Sequence, residues 1–99
     1  MINGKQRSYL KGLAQAIDTT VYIGKEDLTD NVLAEMDRYL NVHELVKVKI
    51  QEGSLLNPKE TANKCAESLK AEFVQAIGRK FVLYRPAEKA IDRNIVLPK

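Results

Sequence analysis

The residues best suited to chemistry are cations and backbone amides gathered around a glycine turn. In Thr20-Val-Tyr-Ile-Gly-Lys-Glu-Asp-Leu-Thr29 a short β-like run breaks at Gly24 and a helix begins. A glycine turn feeding a helix N-terminus offers N–H groups and the positive end of the helix dipole to an anion such as phosphate. Lys25 stands in that turn, and Lys5, Arg7, Lys11, Arg79, Lys80 and Arg85 carry further positive charge. Lysine and arginine set against a phosphate backbone give affinity with little sequence information. Glu26 and Asp27 oppose that chemistry, because they place two carboxylates in the same turn.

Catalytic constellations are poorly represented. His43 is the only histidine and Cys65 the only cysteine. Cys65 falls on the buried stripe of its expected helix, where a thiol behaves as a small hydrophobe. His43 falls at a helix–strand junction, in a polar turn position. One histidine and one cysteine do not make a zinc site, and the chain has no P-loop, dinucleotide-binding or nucleophile-elbow motif. The expectation is a non-enzyme with no cofactor, no metal and no small-molecule substrate.

Positioning these groups falls to a single small domain. The 99 residues are 44% hydrophobic and 29% charged, as in soluble globular proteins, with a net charge of +3. No apolar run reaches the ~20 residues of a membrane span. The first residues lack a secretory pattern, and a lone cysteine forms no internal disulfide, so a cytoplasmic location is expected. Charge is unevenly spread. Residues 1–25 carry four basic groups against Asp18, whereas residues 26–45 carry six acidic groups against Arg38. Residues 71–99 return to six basic and three acidic groups. Basic ends around an acidic middle suggest a polyanion partner.

Asn3 caps an expected first helix from Gly4 to Ile17, with Leu10, Leu13, Ala14 and Ile17 inward and Lys5, Arg7 and Lys11 outward. Val21 and Ile23 alternate as one face of a strand, leaving Tyr22 on the other, either exposed or packed under a helix. Thr29 caps a second helix, Asp30 to Asn41, with Leu28 and Leu33 spaced as a hydrophobic staple. Its inward stripe is Val32, Leu33, Met36 and Leu40. Leu45–Ile50 is the clearest strand, with Val46, Val48 and Ile50 opposite Lys47 and Lys49. Asn57-Pro58-Lys59-Glu60 opens a third helix to Leu69, with Ala62, Cys65, Ala66 and Leu69 inward. Phe73–Ile77 and Phe81–Arg85 form a hairpin around Gly78-Arg79, which suits a type II′ turn. Phe81-Val-Leu-Tyr84 is apolar on both faces, as in an interior strand, so Tyr84 belongs to the core. The order α-β-α-β-α-β-β gives an α/β fold: a small two-layer sandwich of a four-stranded mixed sheet and three helices. Residues 1–86 form the domain and 87–99 a tail, with Ile95-Val-Leu97 a candidate docking strand.

Six fragments in order carry a resemblance over nearly the whole chain. They are Gly4-Lys-Gln-Arg-Ser-Tyr-Leu10, the Leu13-Ala14 that follows, Ile23-Gly24-Lys25 with Leu28-Thr29, Glu44-Leu-Val-Lys-Val-Lys49, Val74-Gln-Ala-Ile-Gly78 and Val82-Leu-Tyr-Arg-Pro86. The chain resembles the CRM-domain family (chloroplast RNA splicing and ribosome maturation) in its stand-alone bacterial YhbY-like form. The resemblance implies a fold similar to the C-terminal domain of a bacterial translation initiation factor. It also implies RNA binding, with ribosomal RNA or precursors of the large ribosomal subunit as partner; the chain is separately expected to be a monomer. A Gly-x-x-Gly loop after the first strand, likened to the backbone clamp of KH domains, maps onto Gly24-Lys25-Glu26-Asp27. Here the fourth position departs to aspartate, which adopts left-handed backbone more readily than most residues. The RNA-binding set expected on this basis is Lys5, Arg7, Lys11, Gly24, Lys25, Arg79, Lys80 and Arg85. A rival expectation is a protein-interaction module that docks a ribosomal protein or assembly factor through the acidic segment 26–44.

Overall fold

The computed structural model describes residues 2–24 and 27–99. Helix α1 spans Gly4–Ala14 and opens with a reciprocal capping box: Asn3 accepts from the Gln6 N–H, and Gln6 accepts from the Asn3 N–H. It stops short of Ile17 because Gln15, Ala16 and Ile17 donate to carbonyls three residues back, a tighter turn than an α-helix. Strand β1 is Val21–Ile23. Helix α2, Asp30–His43, is capped by the Thr29 hydroxyl, which accepts from the Val32 N–H at 3.2 Å. It runs past Asn41 until Glu44 turns left-handed, at φ +67°. Strand β2 is Leu45–Ile50, and α3, Pro58–Leu69, starts on the Asn57 side chain and ends at left-handed Lys70. Strands β3, Glu72–Ile77, and β4, Lys80–Tyr84, close a hairpin on Gly78, whose φ is +60°. Glycine alone of the two turn residues takes positive φ, as type II′ requires.

The sheet order is β1-β2-β4-β3. Strands β1 and β2 are parallel neighbours joined through α2, whereas β4 pairs antiparallel with both β2 and β3. The chain thus carries α3 from β2 past the position of β4, and β3 becomes an edge. Strand β4 is the interior strand its apolar residues anticipate, and Phe81 to Tyr84 are all buried.

The α/β fold with three helices and a mixed four-stranded sheet is as expected, and burial adds a detail of layering. Val21, Ile23, Val46, Val48, Ile50, Phe81 and Leu83 pack against Met36 and Leu40 of α2 and Ala62, Cys65 and Ala66 of α3. Leu45, Val74, Val82 and Tyr84 point to the other face and pack with Ile2, Leu10 and Ala14. Helix α1 is therefore a partial third layer. A bulge at Phe73/Gln75 lets Val74 reach beneath α1 and then brings Gln75 and Ile77 to the same face.

The tail docks without forming the candidate strand. Ile95 and Leu97 pack on the α1-side core while Val96 stays exposed, and the Gln6 amide donates to the Pro98 carbonyl. The alternation is strand-like, but the Asn94 and Ile95 N–H groups go to the Glu44 carboxylate rather than to a neighbouring strand. A single turn of 3₁₀ helix, Ala90–Asp92, precedes this contact.

Candidate nucleic-acid interface

Helix α1 covers only part of its side of the sheet, and the uncovered part is basic. Strand register sets Tyr22, Lys49, Lys80 and Ile77 side by side in one row across all four strands. The next row holds Lys47, Val82 and Gln75. Neither row contains a carboxylate. Neighbouring strands lie ~4.8 Å apart, so Lys49 and Lys80 are directly opposed like charges, an arrangement that destabilises a sheet. Lys49 is half-buried and Lys80 exposed, and such a pair suits a polyanion that neutralises both.

This face continues into a groove beside α1. A hollow of about 220 Å³ is bounded by Gln15, Lys47, Gln75, Ile77, Lys80 and Val82. It shares Gln75 and Ile77 with a groove of about 570 Å³ between α1 and the β3 edge, where Arg7 and Lys11 meet Lys59 of α3. The Arg7 Nε–H donates to the Phe73 carbonyl at 3.1 Å, which fixes the side chain along the edge strand.

One end of the sheet gathers the loops. Gly24 follows β1 and Asp27 lies near it, residues 51–57 follow β2, and Gly78-Arg79 joins β3 to β4. Arg79 braces them: its guanidinium donates to the carbonyls of Ile50, Gln51 and Ser54 at 3.0–3.2 Å. The Asp27 N–H returns to the Gly24 carbonyl at 3.2 Å, and the Gln51 N–H donates to the Ile23 carbonyl. The helix α2 N-terminus opens at this same end. Asp27 has φ +67°, so the fourth position of the loop is one that needs left-handed backbone. Gly24 does not: a Cβ there would meet only Gln51 Oε1 at 3.5 Å, an ordinary contact.

The chain matches the family model for the CRS1/YhbY (CRM) domain over residues 2–85. It belongs to that family. An RNA-binding protein of Haemophilus influenzae is 41% identical over 99% of this chain and 96% of its own length. A Bacillus subtilis relative named a probable RNA-binding protein is 31% identical over 99% of this chain and all of its own. A solution structure of a hypothetical protein from Staphylococcus aureus superposes with a TM-score of 0.83, at 36% identity over 99% of this chain and 100% of that one.

Within this CRM domain the expected cations separate into different roles. Lys5, Lys11 and Lys80 are exposed, and Arg7, Lys11 and Lys80 line the continuous face. Lys25 and its neighbour Glu26 lie outside the described residues. Arg79 is half-buried and organises loops. Arg85 is a correction: it donates to the Asp37 carboxylate and carbonyl, the Leu69 carbonyl and the Asn41 side chain, at 2.8–3.0 Å. With its side chain 16% exposed, it ties α2 to the end of α3 rather than facing a ligand. Lys47, Lys49 and Lys59 join the face from outside the expected set. The alternating Val46-Lys-Val-Lys49 pattern does place two lysines opposite a buried face, but only the pairing with β4 aligns them with Lys80.

The acidic segment is less available than its composition suggests. Asp37 is bound to Arg85, and Glu44 is buried with its carboxylate holding the tail. Cys65 is fully buried, and desolvation pushes its thiol up to about 11, so it stays protonated near neutral pH. His43 stacks on Tyr39 with ring centroids 4.3 Å apart. Among the described residues, no cluster of histidine, cysteine or acidic side chains is placed to hold a metal ion.

The left-handed Asp27 makes a specific expectation for the loop. Glycine adopts this backbone without the ~1–2 kcal/mol penalty of a side chain, although aspartate bears less of it than most residues. The side-chain contact given up is a long one, from the Ser54 hydroxyl to Asp27 Oδ1 at 3.5 Å. Asp27→Gly should leave stability unchanged or raise it by up to about 1 kcal/mol in urea unfolding. Loss of the carboxylate should also raise affinity for a polyanion a few-fold.

Proposed function

We propose that this chain is a non-catalytic RNA-binding protein that assists assembly of the large ribosomal subunit by binding precursor ribosomal RNA. The observation that carries the reading is the opposed Lys49–Lys80 pair on an open sheet face, backed by Lys47 and continuous with Arg7, Lys11 and Lys59. These groups neutralise phosphates, and Lys5, exposed elsewhere on α1, adds positive charge outside that face. Gly24 and the helix α2 N-terminus supply amides to one further phosphate, and Lys25 of the same partial Gly-x-x-Gly loop supplies charge. Arg79 holds that end of the sheet in shape. The family membership and the names of the relatives support RNA as the polyanion. The protein acts as a cytoplasmic monomer, without a cofactor.

Crosslinking in cell extract, followed by sequencing of the bound fragments, tests this reading. Fragments of the large-subunit ribosomal RNA precursor should be enriched, and enrichment of messenger or transfer RNA alone would overturn the ribosomal assignment. With about four phosphates engaged on single-stranded RNA, the logarithm of affinity should fall against the logarithm of salt with a slope of about −3.

A further inference from the structure

Tyr22 is an aromatic ring left on the open sheet face, 60% exposed, although each of its strand neighbours, Val21 and Ile23, is buried. It is paired in register with Lys49 and stands at the end of the basic row. Tyr22, Lys49, Gln51 and Glu52 together bound a hollow of about 540 Å³, within the size range of small-molecule and nucleotide-sized sites. The four side chains provide complementary chemistry. An exposed ring offers a stacking surface that any nucleobase can use. The Lys49 ammonium binds phosphate, and Gln51 both donates and accepts. Glu52 decides the orientation, because a carboxylate repels phosphate yet accepts from amino groups on a base edge. The hollow therefore separates a backbone side, toward Lys49 and Lys80, from a base side, toward Glu52.

We infer that Tyr22, Lys49, Gln51 and Glu52 form a subsite for one unpaired nucleotide, with its base stacked on Tyr22 and its amino-bearing edge turned to Glu52. The inference rests on the RNA-binding reading and adds selectivity to it. A duplex keeps its bases stacked on one another and cannot offer a face to Tyr22, so the subsite selects single-stranded RNA. Uracil lacks an exocyclic amino group, so adenine is preferred over uracil.

The chain contains no tryptophan, so Tyr22→Trp installs a sole indole reporter at the site. The probes are short oligoadenylate, short oligouridylate and the duplex of the two. Stacking on a base should quench the indole emission of this variant with oligoadenylate and leave it nearly unchanged with the duplex. Tyr22→Ala should weaken oligoadenylate binding about tenfold or more with duplex binding unaltered, and Tyr22→Phe should restore it. Glu52→Gln should narrow the preference for oligoadenylate over oligouridylate. Unquenched emission in a complex that still forms, or Tyr22→Ala binding at full affinity, would overturn the subsite. Wild-type protein that binds none of the three probes at low salt would instead overturn the RNA-binding reading itself.

Discussion

Replacing Glu44 by alanine is expected to destabilise the fold by about 3 kcal/mol and to release residues 87–99. Glu44 is 1% exposed, and its carboxylate accepts three backbone N–H groups of the tail. Oε2 takes Ala87 at 3.0 Å, and Oε1 takes Asn94 at 2.7 Å and Ile95 at 3.1 Å. Hydrogen bonds to a charged group contribute about 1.5–3 kcal/mol each. The loss is smaller than three such bonds because the freed amides regain water once the tail detaches. Detachment in turn uncovers the α1-side core where Ile95 and Leu97 dock. Urea unfolding measures the stability, and amide hydrogen exchange at Ala87, Asn94 and Ile95 reads the release. Unchanged protection at those three amides would show that the tail is held by its apolar contacts alone.

The double reversal Lys49→Glu with Lys80→Glu should lower RNA affinity by about a hundredfold, at roughly tenfold per reversed phosphate contact. Stability should change little, because one opposed like-charge pair replaces another. The single variants supply the decisive contrast. Either reversal alone creates an opposed Lys–Glu pair across β2 and β4, which favours the sheet by about 0.2–1 kcal/mol. Each single variant should therefore unfold at slightly higher urea while binding RNA more weakly. Thermal or urea unfolding paired with filter binding checks both quantities. Single variants that lost stability and affinity together would mean that the lysines serve the fold instead of a ligand.

The opposed lysines also show where reading the chain stops. Their alternation with Val46 and Val48 is visible along one strand, because side chains in a strand point to opposite faces with period two. Their neighbourhood with Lys80 depends on strand order and register, which join segments far apart along the chain. Arg85 and Glu44 carry the same lesson. Each is one charge among many in the sequence, and each is claimed by partners that only packing supplies: Asp37, Asn41 and Leu69 for Arg85, and the tail amides for Glu44. Tyr22 could be placed on the face opposite Val21 and Ile23, but its exposure depends on how far α1 extends over the sheet.

What the amino-acid sequence determined by itself was local. Asn3, Thr29 and Asn57 announce helix starts, Gly78 announces the hairpin, and the stripes of α2 and α3 announce one core. Six ordered fragments also sufficed to indicate the family. These signals survive in a linear reading because caps, turns and periodicity act over a few residues. The tertiary structure decided which face α1 covers, how the tail docks, and which cations remain open to a ligand. Those outcomes are set by non-local pairing and by competition for each charged group between internal partners and solvent, neither of which has a period along the chain.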